Sequence, residues 1–186
     1  YRKELKSKGK INLVDEHKII KRPKIILNEV ENLKKLGFDK IILSGYSAGG
    51  WSSLVLQSRY PEKIIGTIAF NPAFAGPKKE WQKKYPEWGA FRDDSINKLN
   101  KADKINAIVF AHKDDIFEDP KTLSFFENFK DLNLIDYSEI KPTSCNWADV
   151  NEKMTPDKGH NIPQSKCFTK YLEDKNYLTT FLENIL

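Results

Sequence analysis

Sulfur and histidine are scarce in this sequence, and long apolar runs are missing. Its 186 residues include two cysteines, one methionine and three histidines. No apolar stretch approaches the roughly 18 residues that a membrane-spanning helix needs, and there is no signal-peptide core, so no membrane span is expected. Zinc-finger spacing and RNA-recognition aromatic motifs are absent as well. One cysteine pair, Cys145 and Cys167, does not fix a compartment. The net charge is +5, with a pI of about 9.0. Yet the lysines are spread along the chain, apart from short groups such as Lys78-Lys79 and Lys83-Lys84. That pattern reads as a solvated surface and disfavours a nucleic-acid partner.

What is present suits a single globular domain. Apolar residues make up 39% and charged residues 31%, an ordinary balance for a chain with a sizeable core. Residues 1–17 are polar and basic and read as an arm. The periodicity of Ile26, Val30 and Leu33 predicts a helix over 18–36, closed by Gly37. Short apolar strands are predicted at 40–43, 64–70, 105–111 and 134–138. The intervening helices fall at 48–59 and 121–132, with a terminal helix over 164–186 broken near Asp174. Nearly continuous apolar strands alternating with helices imply a mostly parallel sheet covered by helices on both faces. Residues 71–104, rich in aromatics, proline and lysine, do not fit the alternation and read as a lid or insertion.

One corner of this pattern carries chemistry. Gly45-Tyr46-Ser47-Ala48-Gly49 lies between a predicted buried strand and a predicted helix. Such a G-x-S-x-G turn is strained and tight, and small flanking residues let strand and helix approach each other. It lifts a serine oxygen above the sheet at a helix N-terminus. From about Leu33 to Pro72 the chain resembles the α/β-hydrolase superfamily, on "GFDKIILSGYSAGG" and "RYPEKIIGTIAFNP". Within it, the small esterase or dienelactone-hydrolase-like and prolyl-oligopeptidase-like branches are the most similar.

The resemblance implies a serine hydrolase acting on an ester or related acyl bond of a small molecule. It also implies a chain order of Ser, then Asp or Glu, then His, and calls for no metal or organic cofactor. Ser47 would be the nucleophile. Only His112 and His160 follow it, and His160, in "DKGHNIPQ" before the terminal helix, matches the position of the base. "AIVFAHKDDIFED" would supply the acid. Asp114 fits the register of a strand, a short turn, Asp, two residues and an apolar residue; Asp115 is the second choice. The acidic run of Asp114, Asp115, Glu118 and Asp119 also reads as a solvated or capping cluster. The Ala48 N–H would serve the oxyanion. Tyr46, Trp51, Asn71 and Phe74 flank strand ends on the same edge and are expected to line a pocket.

The sequence departs from the pattern at its start. Upstream of Gly37 the only glycine is Gly9, and no apolar strand precedes the first helix. The loop that supplies the second oxyanion donor is therefore missing. Either the chain is part of a larger hydrolase, which is the expectation, or the fold has been trimmed. A non-catalytic module of the same fold, binding a ligand or partner, is the alternative function. The cysteines bracket His160 in a long polar segment. A Cys145–Cys167 disulfide would anchor the loop carrying the base and go with an exported protein; reduced thiols would go with the cytoplasm.

Overall fold

The computed structural model describes residues 18–74, 87–145 and 159–186. The predicted arm at 1–17 lies outside these residues, as do 75–86 of the aromatic-rich excursion and 146–158 of the segment before His160. The described chain opens with α1 (Lys18–Lys35), which ends as predicted before Gly37, whose φ is +91°. Four strands follow: β1 (Ile42–Tyr46), β2 (Gly66–Phe70), β3 (Ala107–Ala111) and β4 (Leu132–Asp136). They pair in parallel in the order β1-β2-β3-β4, so that Leu43, Thr67, Ala107 and Leu132 lie abreast. The fold class expected from the sequence, a parallel sheet with helices on both faces, is what the structure shows.

The side chains of successive strand residues alternate between two cores. Thr67, Ala69, Ala107, Val109 and Ala111 face one side. There α2 (Ala48–Arg59) contributes Trp51, Leu54 and Val55, and α3 (Glu87–Leu99) contributes Leu99. Ile108 and Phe110 face the other side, beneath Phe168 and Tyr171 of α4 (Lys166–Lys175) and Phe181 of α5 (Tyr177–Ile185). A smaller cluster of Val30, Ile41, Leu56 and Ile64 seats α1 against α2. The terminal helix breaks at Asn176, in the left-handed region at φ 54°, two residues after the predicted Asp174. Among the described residues, no helix is long and apolar enough to cross a membrane.

The fourth strand, predicted at 134–138, lies two residues earlier, and two other elements differ further. The first strand runs to Tyr46, into the glycine motif, because Ser44, Gly45 and Tyr46 pair with Ile68, Ala69 and Phe70. The predicted helix at 121–132 is a 3₁₀ segment, Ser124–Asn128, and Leu132 belongs to β4. The buried positions here are Leu123 and Phe126, with Phe129 partly buried. A spacing of three suits three residues per turn rather than 3.6.

Candidate active site

Each strand delivers part of one site at its C-terminal end. After β1 the chain turns at Ser47, with φ 56° and ψ −127°, directly into α2. A non-glycine residue at positive φ costs of order 1–3 kcal/mol and persists only where its surroundings fix it. Here the Ser47 N–H donates to Phe70 O at 2.9 Å, and Ser47 O accepts from the N–H groups of Trp51 and Ala73. A Cβ on Gly45 would lie 2.5 Å from the Gly49 backbone, so even alanine is excluded there. A Cβ on Gly50 would likewise lie 2.9 Å from Gly45 O, whereas one on Gly49 of the motif would meet open space. Ala48 heads α2, where the first N–H groups have no intrahelical acceptor and carry the positive end of the helix dipole.

The loop after β3 supplies a buried carboxylate. It belongs to Asp115, not to the expected Asp114. Asp115 Oδ2 lies 2.7 Å from His160 Nδ1, and its Oδ1 accepts from the Phe117 N–H at 2.8 Å. Asp114 is 46% exposed and points its carboxylate toward His112. The physical reason is the turn itself. β3 ends at Ala111, and the Asp115 N–H closes a tight turn onto His112 O. That brings the fourth residue beyond the strand, rather than the third, over the sheet. The rest of the acidic run is structural. Glu118 is buried in an ion pair with Arg92 of α3, and Asp119 Oδ1 accepts from the Thr122 N–H.

His160 enters from the 3₁₀ turn Gly159–Gln164, ahead of α4. Its Nε2 is 3.0 Å from Ser47 Oγ, which completes a hydrogen-bonded array from serine to imidazole to carboxylate. The structure thus brings Ser47 and His160 together as expected. Two aromatic rings flank the imidazole, Tyr46 at 5.0 Å and Phe117 at 4.3 Å between centroids. The Tyr46 hydroxyl donates to Asn161 Oδ1 at 3.0 Å. Burial pushes the Tyr46 phenol up to about 12, against the lowering effect of a hydrogen bond with Gln164.

Of the four expected pocket residues, only Tyr46 sits beside the imidazole. Trp51 is buried in the core, its Nε1–H bonded to Ser95 Oγ, and Phe74 packs edge-on against it. Asn71, fully buried at φ 42°, anchors the turn that bears His160. Its Nδ2 donates to both Gly159 O and His160 O at 2.9 Å, and its Oδ1 accepts from the Tyr137 hydroxyl. These corrections share one reason. A strand end places a side chain near the sheet's edge, but helix cover decides whether it meets solvent. Phe117, Gly159 and Tyr137 escaped the sequence reading. The aromatic two residues after the acid was the signal available for Phe117.

Cys145 and Cys167 form a disulfide, with Cα atoms 5.5 Å apart. It ties Cys145, nine residues past β4, to the first turn of α4.

No family model and no curated protein matches this chain. Several solved structures are similar to it, three of them as follows. A monoacylglycerol lipase from Paleococcus ferrophilus is 18% identical at a TM-score of 0.46, over 64% of this chain and 65% of the lipase. A thermophilic esterase from Thermogutta terrifontis is 13% identical at 0.43, over 80% of this chain and 68% of the esterase. An α/β hydrolase from a sediment metagenome of the Mar Chica lagoon in Morocco is 17% identical at 0.41, over 86% of this chain and 71% of that enzyme. The chain thus spans about two thirds of the length of the structures it matches.

Proposed function

We propose that this protein is a serine hydrolase of the α/β-hydrolase fold, cleaving an ester or related acyl bond in a small molecule. The observation that carries this reading is the unbroken array of Ser47 Oγ, His160 and Asp115, standing on a strand-to-helix turn at positive φ. Each atom has one part. The Asp115 carboxylate holds the Nδ1–H tautomer of His160, leaving Nε2 free to take the serine proton. Ser47 Oγ then attacks the carbonyl carbon, and the Ala48 N–H stabilises the oxygen as it becomes negative. His160 returns the proton to the leaving group, and water repeats the cycle on the acyl-enzyme. Asp115 stabilises the imidazolium between these steps.

Labelling with a fluorophosphonate tests this reading. The expected result is one stoichiometric adduct on Ser47, and none in Ser47→Ala. An unlabelled, folded full-length protein would favour a non-catalytic binding module instead. The disulfide supports work in an oxidising compartment, outside the cytoplasm. Two free thiols in the native protein, read by mass, would oppose that assignment.

A further inference from the structure

We propose that His112 is a positioning residue of this site, one whose buried ring sets the spacing between the turn carrying Asp115 and the turn carrying His160. This rests on the hydrolase reading above, although the ring's geometry stands without it. His112 is fully buried at the end of β3. Its Nε2 is 2.9 Å from Ile140 O, and a carbonyl only accepts, so Nε2 carries a proton. Its Nδ1 is 3.1 Å from the Asp114 N–H, which only donates, so Nδ1 is bare. The Asp114 carboxylate is the other group facing Nδ1, but at 3.9 Å it is beyond hydrogen-bond distance. The ring is therefore neutral, held as one tautomer, and both nitrogens are occupied. It has nothing left with which to act as a second base.

Its position explains its use. A Cβ on Gly159 would fall 2.3 Å from His112 Nδ1 and 2.9 Å from the Asp115 backbone nitrogen. The backbone just before His160 thus lies close against the ring. Tyr137 packs on the ring at 5.2 Å and, through Asn71, holds the same Gly159 from behind. The ring is a spacer gripped from several sides, and it fixes how closely residues 159–160 approach residue 115. The 2.7 Å bond between His160 and Asp115 depends on that approach.

Two amide variants separate positioning from packing. The amide of His112→Asn reaches the place of Nδ1 and can accept from the Asp114 N–H. That of His112→Gln reaches the place of Nε2 and leaves the Asp114 N–H without its side-chain acceptor. Each loses one hydrogen bond, so their melting temperatures should fall alike. Fluorophosphonate labelling rates, counted per folded molecule, should differ. The Gln variant should label about 10²-fold slower than wild type, the scale of a displacement near 1 Å. The Asn variant should stay within about tenfold of wild type. A Gln variant that labels at the wild-type rate, or as fast as the Asn variant, overturns the proposal. A second measurement needs neither activity nor a variant. Nitrogen-15 spectra of the wild-type full chain should show His112 with its proton on Nε2 and Nδ1 bare; a proton on Nδ1 overturns it. Wild-type protein that carries this tautomer but does not label would refute the hydrolase reading and not the ring's assignment.

Discussion

Replacing Asp115 by asparagine is the sharpest test of the site, because both orientations of the new amide are penalised. The carboxylate accepts twice, from His160 Nδ1–H at 2.7 Å and from the Phe117 N–H at 2.8 Å. If the asparagine oxygen keeps the Phe117 bond, its NH₂ faces His160 Nδ1 and drives the imidazole proton to Nε2. That nitrogen then points a proton at Ser47 Oγ, 3.0 Å away, and cannot accept another. If the amide flips, two donors meet at the Phe117 N–H instead. The second keeps the tautomer but sets the Phe117 N–H against a donor, whereas the first leaves every donor paired in the wrong tautomer and is therefore favoured; the fold survives it. Loss of the working tautomer costs about 10⁴-fold in kcat where such an array operates, or about 5 kcal/mol of barrier. Asp114→Asn changes an exposed carboxylate that touches neither partner, and should alter kcat by less than about twofold. The assay is hydrolysis of a short activated aryl ester by the full-length protein, with circular dichroism confirming the fold of each variant. A folded Asp115→Asn retaining a tenth of wild-type kcat would refute the reasoning, as would Asp114→Asn matching its loss.

Other consequences concern stability. Gly45→Ala forces a methyl to within 2.5 Å of backbone and should prevent folding or cost several kcal/mol, whereas Gly49→Ala meets open space. Early in a helix, the latter should leave stability unchanged or raise it by at most about 1 kcal/mol in urea titrations. Arg92 makes two 2.6 Å bonds to the buried Glu118 carboxylate, so Arg92→Met strands that charge and should cost about 3–5 kcal/mol; Arg92→Met with Glu118→Met should recover much of it. The Tyr46 phenol, raised by burial from 10.0 to about 12, favours the folded state fully below pH 10 and less as pH rises through 12. Melting temperatures of Tyr46→Phe should therefore fall less steeply than those of wild type over that window. Reducing the disulfide, or Cys145→Ser, should cost about 3 kcal/mol in the chain-entropy model, read as a lower urea midpoint against a Cys-intact control.

Local features of the sequence were the most legible. Ser47 could be placed because its turn is defined by residues within a few positions, and 48–59 could be bounded because Gly45 to Gly50 opens that helix and Pro61 follows it. His160 was placed by the family resemblance, which leaves His112 and His160 after Ser47 and puts the base in a loop before the terminal helix. Asp115 was missed by one residue, since the turn beyond β3, closed by the Asp115 N–H on His112 O, decides which carboxylate lies over the sheet. Trp51, Asn71 and Phe74 were misread because burial is a property of neighbours, here α3 and the His160 turn. A helix was expected over 121–132, but the three-residue spacing of Leu123, Phe126 and Phe129 signalled the tighter coil.

The sheet's strand order has a consequence for how the protein comes to be. Its strands add one beside the next in chain order, so each pairing closes a loop of modest length. The bond from Ser47 to His160 instead spans 113 residues. Closing so long a loop is entropically costly until the intervening sheet has brought its ends together. Refolding should thus pass through a stage in which all four strands are paired while the serine still lacks its imidazole. The disulfide shortens the last step, because Cys145, nine residues past β4, already holds the front of α4. The four-stranded platform would thus be complete before residues 159–186 dock, and the array of Ser47, His160 and Asp115 would close only with that docking.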